Sequence, residues 1–183
     1  FFNSRDLCMI EHIPDLIKAG ATSLKIEGRA KSAYYTAVTT NAYKHAVKDY
    51  LNLKENYILA PWIKEEVDKI SHREYNTGFF FKHEPGQVYS NGGYIRNYEV
   101  VAVCDDFKDN MMQISQRNRF FVGDEVDILE PGGKPFNMVI EKLIDEWGNE
   151  VSAAPHAMQK LFVPSLKEVK KGAFIRKKRL AKI

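Results

Sequence analysis

The chain is poor in the residues that usually announce chemistry. Two cysteines in 183 residues, Cys8 and Cys104, are too few for a disulfide framework, and they show no Cys-x-x-Cys spacing. A reducing, cytoplasmic setting is the expectation. No apolar run approaches the ~20 residues that a membrane-spanning helix requires, and nothing resembles a signal peptide. The five histidines, His12, His45, His72, His83 and His156, are scattered, and no His-Glu-x-x-His occurs. There is no Gly-x-Ser-x-Gly elbow and no serine, histidine and acid set, so the residues give no support to a serine or zinc protease. "KHEPG" at Lys82–Gly86 reads as turn chemistry. No solenoid-period repeat or low-complexity tract appears, and the chain opens on Phe1 rather than Met. An apolar, strand-like start of this kind suggests a piece of a longer chain.

Charge is balanced overall and uneven locally. The net value is +3, with 44% hydrophobic and 28% charged residues, enough to build a real core. The end, "KKGAFIRKKRLAKI", carries Lys170, Lys171, Arg176, Lys177, Lys178, Arg179 and Lys182 without one acid. Two readings stand: a solvated tail, or an electrostatic footprint for nucleic acid.

The first half reads as strands alternating with helices. Phe1–Phe2 reads as a strand end, and Asn3-Ser4-Arg5-Asp6 as a polar turn. In "MIEHIPDLIKAG", Ile10, Ile13, Leu16 and Ile17 have helical spacing, Pro14 is tolerated in a first turn, and Gly20 is a stop. Residues 23–27 predict a short strand, Leu24 and Ile26 alternating with Lys25 and Glu27. A second helix over 32–50 follows, with Val38, Ala42, Ala46 and Tyr50 on one stripe. A third opens at Pro61, with Ile63, Val67 and Ile70 on its apolar side. Strand, helix, strand, helix is the unit of a parallel α/β architecture, and two units cannot close one. "NTGFFFKHEPGQVYSNGGYIRN" then has the Gly, Asn and aromatic texture of a linker or crossing segment. Beyond Tyr98, "YEVVAVCDD", "MMQISQ", "DEVDILEP", "FNMVIEKLID" and "KLFVPS" are short runs between turn signals. Val126 and Ile128 alternate with Glu125 and Asp127 as in a half-buried strand, and the spacing predicts a small antiparallel barrel.

"NSRDLC", "KAGATSLKIEGRAKSAYYTAVTTNAYKHAV" and "SHREYNTGFFF" together resemble peptidase family U32, the collagenase-like family, and "VGDEVDILEPGG", "APHAMQKLFVP" and "GAFIRKK" resemble its C-terminal domain. The resemblance implies the last two strand–helix units of a (β/α)8-like barrel in residues 1–50, extended by an extra helix to residue 72, then a linker over 73–88 and a small β-barrel like those of translation factors over 89–183. It also implies an upstream barrel in the same polypeptide. The domain pattern is similar to the branch of bacterial tRNA hydroxylation proteins, which help form 5-hydroxyuridine at the wobble position and are associated with an iron–sulfur cluster. The family name implies the alternative, a peptidase acting on collagen-like or unfolded protein. A third reading makes the β-domain an RNA- or protein-docking module. On every reading this piece is expected to be catalytically inert alone.

Within that frame the candidate residues acquire places. At the mouth of a (β/α)8 barrel, Lys25 and Glu27 would point inward, with Gly28 turning the chain and Arg29 starting the loop above. One reading is an ion pair bracing the rim. The other makes Glu27 a base or hydrogen-bond acceptor, Arg29 a two-pronged holder of carboxylate or phosphate, and Lys25 a source of positive potential. By resemblance Cys8 is one of four thiolate ligands of the cluster, the other three lying upstream. The bland account is a small buried hydrophobe, which is also the expectation for Cys104. Tyr89, Tyr94, Arg96 and Tyr98, with Arg176, Lys177, Lys178 and Arg179, either stack and pair with RNA or fill the core and the domain junction.

Overall fold

The structure is a computed structural model that describes residues 5–82 and 93–179. Phe1–Phe2, residues 83–86 of "KHEPG", Tyr89 and Lys182 lie outside the described residues. The chain divides into two compact units, Phe1–Asn97 and Tyr98–Ile183. Residues 73–82 and 93–97, expected in the linker and the second domain, thus belong to the first unit. No helix among the described residues is long and apolar enough to cross a membrane.

The first unit runs β1 (Asp6–Leu7), a 3-10 turn at Ile10–His12, α1 (Ile13–Lys18), α2 (Ala33–Leu53), a second 3-10 turn at Lys54–Asn56, α3 (Pro61–Asp68) and β2 (Tyr75–Asn76). Helix α2 starts at Ser32 because its hydroxyl accepts from the Tyr35 amide at 3.2 Å, satisfying one of the donors a helix start leaves open. Its expected stripe is real. Val38, Ala42, Ala46 and Tyr50 are buried, and the last three pack against Ile10, Ile13, Ile63 and Val67. Burying each such isoleucine or valine contributes about 1.5–3 kcal/mol. Pro61 opens α3, where a missing amide hydrogen costs nothing.

Strands β1 and β2 pair in parallel over two residues, Asp6 opposite Tyr75 and Leu7 opposite Asn76. Asp6, expected in a turn, instead starts this strand. Its carboxylate accepts from the Arg73 amide at 3.0 Å and from Arg73 Nε at 2.9 Å. Tyr75 donates to the Val67 carbonyl at 2.6 Å and Tyr34 to that of Lys69 at 3.1 Å, so the end of α3 is held by two phenols. The strand expected over 23–27 joins no β-ladder among the described residues. Burial does alternate there, with Leu24 and Ile26 partly covered. Alternation marks a side-chain pattern, however, and a strand also needs partners for its backbone groups.

The second unit contains β3 (Tyr98–Lys108), β4 (Met111–Gln116), β5 (Phe120–Phe121), β6 (Glu125–Leu129), β7 (Phe136–Val139), β8 (Leu143–Asp145), β9 (Glu150–Val151), β10 (Ala153–Ala154), β11 (Lys160–Pro164) and β12 (Phe174–Lys178). Eight strands form one antiparallel sheet in the order β7-β6-β12-β3-β4-β11-β8-β9. The expected closed barrel is not a continuous ladder. A separate ribbon pairs β5 with β10 and so ties the chain just before β6 to the chain just after β9. The sheet curls around a core of Val101, Met112, Ile114, Phe120, Ile128, Leu143, Leu161, Val163 and Ile175, among others. Asp109 and Asn110, at φ of 52° and 58°, make the two-residue turn that joins β3 to β4.

Two expectations fail together, for one reason. Residues 174–178 form strand β12, hydrogen-bonded between β3 and β6, so this stretch is not a solvated tail. Asp127 does not face solvent on a half-buried strand either. Arg176 is 0% exposed and donates to Asp127 Oδ2 from Nε at 3.0 Å and from its terminal nitrogen at 2.7 Å. The two residues stand opposite each other in the β12–β6 register. A register shift between Ile175 and Arg176 on the β3 side accompanies consecutive burial of both residues.

The β8–β9 turn is built on one carboxylate. Asp145 Oδ1 accepts from the amides of Trp147 at 3.0 Å and Asn149 at 2.8 Å, and its Oδ2 accepts from the Asn149 side chain at 3.2 Å. Desolvation pushes the Asp145 pKa up, but the hydrogen bonds from Asn149, Trp147 and Gly148 outweigh it and leave the group below the usual carboxylate range.

Two outcomes are expected from these features. Asp127→Ala, which strands a buried guanidinium, should lower unfolding free energy by about 3–5 kcal/mol in denaturant titrations, with Asp127→Leu/Arg176→Met recovering most of the loss. A depressed carboxylate stabilises the fold fully above its unfolded pKa of about 3.9, and that contribution is lost as pH falls through the lower folded value. Asp145→Asn should therefore flatten the acid limb of a stability–pH profile below about pH 4 and leave the neutral region's slope unchanged.

Candidate functional site

The Lys25–Gly28–Arg29 stretch is solvent-facing. Lys25 and Glu27 are 88% and 72% exposed at the side chain and pair with each other at 3.7 Å. The segment has no neighbouring strands among the described residues that would form the barrel mouth expected around it. A pair this exposed contributes about 0–1 kcal/mol. Gly28 has no left-handed φ; its role is close approach, since a Cβ there would lie 3.1 Å from Thr36 Oγ1 on the first turn of α2. Arg29 is exposed beside it.

Cys8 sits at the end of β1, partly buried, with Sγ 3.9 Å from the Tyr43 hydroxyl, which also accepts from the Met9 amide at 2.9 Å. Burial pushes the thiol's pKa up, only partly offset by the backbone at Ile10 and by Tyr43. The group therefore rests as a thiol. The described residues contain no group of three or more histidine, cysteine or acidic side chains able to hold a metal. Cys104 is buried in the second unit's core with its pKa pushed up to about 11 by burial. An iron–sulfur cluster takes about four thiolates, so these residues do not by themselves fit one.

The basic residues of β12 separate by environment. Arg176 is consumed by Asp127, and Lys177 pairs with Asp124 at 2.7 Å. Lys178 is exposed, and exposed Arg179 lies 3.6 Å from Glu99. A cavity of about 310 Å³ has Asp124, Glu125, Asp127, Lys177 and Lys178 among its lining residues. Its three acids outnumber its two lysines, so it offers a polyanion no excess positive charge. Arg176 and Lys177 are therefore removed from the nucleic-acid surface expected of them, because the sheet uses their charges internally.

Excess charge collects instead in the first unit. His72 and Ile95 form an isolated antiparallel bridge, His72 accepting from the Ile95 amide at 2.7 Å and donating back at 3.2 Å. Side chains alternate across a strand, so the flanking residues Ser71, Arg73, Tyr94 and Arg96 share a face. Arg96 Nε donates to Ser71 Oγ at 3.2 Å. The Tyr94 ring has Lys31 Nζ 4.5 Å, Arg96 Cζ 5.7 Å and Arg73 Cζ 5.8 Å from its centroid. Lys31 also reaches the Tyr94 hydroxyl at 3.5 Å and the Tyr35 ring at 5.2 Å. Among the described residues, Asp6 neutralises Arg73, whereas no carboxylate comes within ion-pair distance of Lys31 or Arg96. Arg96 and Tyr94 were readable as candidates from their neighbourhood in the sequence. Lys31 and Arg73 were not, since only the fold brings them to that ring.

A third constellation lies in the second unit. Ser115 Oγ donates to Asp105 Oδ2 at 2.5 Å, and Lys160 Nζ reaches the same oxygen at 2.6 Å and Ser115 Oγ at 2.7 Å. Desolvation raises the Asp105 pKa, but the hydrogen bonds from Lys160 and Ser115 and the lysine charge outweigh it and leave it low. Ser115 is buried, and the Lys160 ammonium acts as a donor to Asp105. The hydroxyl therefore has neither a free base nor room for a substrate, and this is a cross-strand brace rather than a nucleophile.

Comparison with known proteins gives a consistent family. A match to "Peptidase family U32" covers residues 1–89, and one to "Peptidase family U32 C-terminal domain" covers residues 96–176. The chain is 36% identical over 160 residues to tRNA hydroxylation protein P1 of Bacillus subtilis, covering 85% of this chain and 38% of that protein. It is 33% identical over 159 residues to tRNA hydroxylation protein P of Haemophilus influenzae, covering 84% and 34%. It is 34% identical over 132 residues to an uncharacterized protease of Methanocaldococcus jannaschii, covering 68% and 32%. The chain thus spans a little over a third of the length of the tRNA hydroxylation relatives it matches. With one family domain matched in each unit, the chain belongs to peptidase family U32.

Proposed function

We propose that the protein containing this chain acts in tRNA hydroxylation, forming 5-hydroxyuridine, and that this chain serves to hold RNA rather than to perform the chemistry. The observation that carries the reading is the match to relatives named tRNA hydroxylation proteins over 84–85% of the chain. The surface around Tyr94 supports it, because Lys31 and Arg96 present cationic charge that no described carboxylate neutralises. Uncompensated lysine and arginine attract phosphates and release their counterions. An iron–sulfur cluster in the whole protein would draw at most Cys8 from the first unit, with its other ligands outside this chain.

The peptidase reading has one specific support, the relative named an uncharacterized protease. Among the described residues its chemistry finds no foothold. Ser115 is buried and faces an ammonium already engaged with Asp105, and the histidines form no set with it. The (β/α)8 placement of the first unit belongs to the same proposal, with the parallel β1–β2 pair as its support.

Mass spectrometry of tRNA separates the two. Cells lacking the whole protein are expected to lose 5-hydroxyuridine from tRNA and to regain it on complementation. Unchanged tRNA, with hydrolysis of denatured collagen that survives repurification and disappears in the deletion, would replace the hydroxylation reading by the peptidase one.

A further inference from the structure

We propose that Tyr94, Lys31 and Arg96 form a clamp for one unpaired RNA nucleotide, the base stacking on the Tyr94 ring and its phosphate seated against the two cations; the inference rests on the RNA-holding reading above. The first support is placement. The His72–Ile95 bridge puts Tyr94 and Arg96 on one face, and the start of α2 brings Lys31 to the same ring from more than sixty residues away. Ser71 holds the Arg96 guanidinium through Nε at 3.2 Å, so that bond does not use its terminal nitrogens. Because Lys31 touches the Tyr94 hydroxyl, ring and ammonium present themselves together.

The second support is the charge count. Three cations surround one ring, and Asp6 neutralises only Arg73. Lys31 and Arg96 gather at a cost in mutual repulsion that an anion between them would remove. A ring recruited only to pack these cations would be covered, yet Tyr94 is 44% exposed. An exposed aromatic ring bordered by a lysine and an arginine that no described carboxylate neutralises matches the chemistry of a nucleotide, which offers a flat π-face beside a phosphate. The same geometry selects for single strands. In a duplex the bases are already stacked and their faces are closed to a side chain, whereas an unpaired loop base can turn onto the ring.

The test measures binding of the chain to a fluorescently labelled oligouridylate and to an RNA duplex of equal length by anisotropy, with thermal melts confirming that each variant is folded. The single strand is expected to bind more tightly than the duplex. Tyr94→Ala should weaken single-strand binding about 5- to 150-fold, while Tyr94→Phe, which keeps the ring, should stay within about threefold of wild type. Lys31→Ala and Arg96→Ala should each reduce the slope of log affinity against log salt by about 0.7. A wild-type chain that binds RNA while folded Tyr94→Ala binds it equally well, or that prefers the duplex, overturns the clamp and leaves the RNA-holding reading standing. A wild-type chain that binds neither RNA overturns both.

Discussion

The second unit depends on one buried ion pair. Arg176 lies on a strand inserted between β3 and β6, where a lone guanidinium would be intolerable. Asp127, directly opposite on β6, makes the strand's place in the sheet possible and its register specific. Coulomb attraction and charge-assisted hydrogen bonds offset a desolvation cost of several kcal/mol per ion, so the pair contributes less by net energy than by what its absence would forbid. A strand slipped by one residue would point the guanidinium toward the apolar core and move Ile175 off it.

That pairing also redistributes function. A run of basic residues at the end of the chain looks like a nucleic-acid contact until its partners are known. Once Asp127 takes Arg176 and Asp124 takes Lys177, little uncompensated charge is left on β12. In the first unit the arithmetic runs the other way. Asp6 locks Arg73 and with it the β1–β2 pair, but Lys31 and Arg96 beside the same tyrosine receive no acid among the described residues. Where charge is cancelled the sheet is stabilised, and the charge left over among the described residues is what the proposed RNA-holding role draws on.

The family carries the word peptidase, and the described residues lend it little. The one hydroxyl with an amine beside it, Ser115, is buried and braced by Lys160 and Asp105 across strands. Cys8 rests as a protonated thiol against Tyr43. Neither site combines access with an activated nucleophile.

Local signals in the sequence determined the helices, most strands and the family. Pro61 as an opening residue and the four-residue stripe along α2 act within a turn or two, so a short window contains them. The alternation in β6 likewise named a strand but misread Asp127, because periodicity does not reveal what lies on a neighbouring strand. "FIRKK" concealed β12 for the same reason, and the alternation at 23–27 suggested a ladder whose partner strand no local pattern can supply. Only the tertiary structure decided which charges cancel. Asp127 and Arg176 are 49 residues apart, Asp6 and Arg73 67, and Lys31 and Tyr94 63. Coulomb and hydrogen-bond energies depend on distance in space, and over such separations that distance is set by the fold.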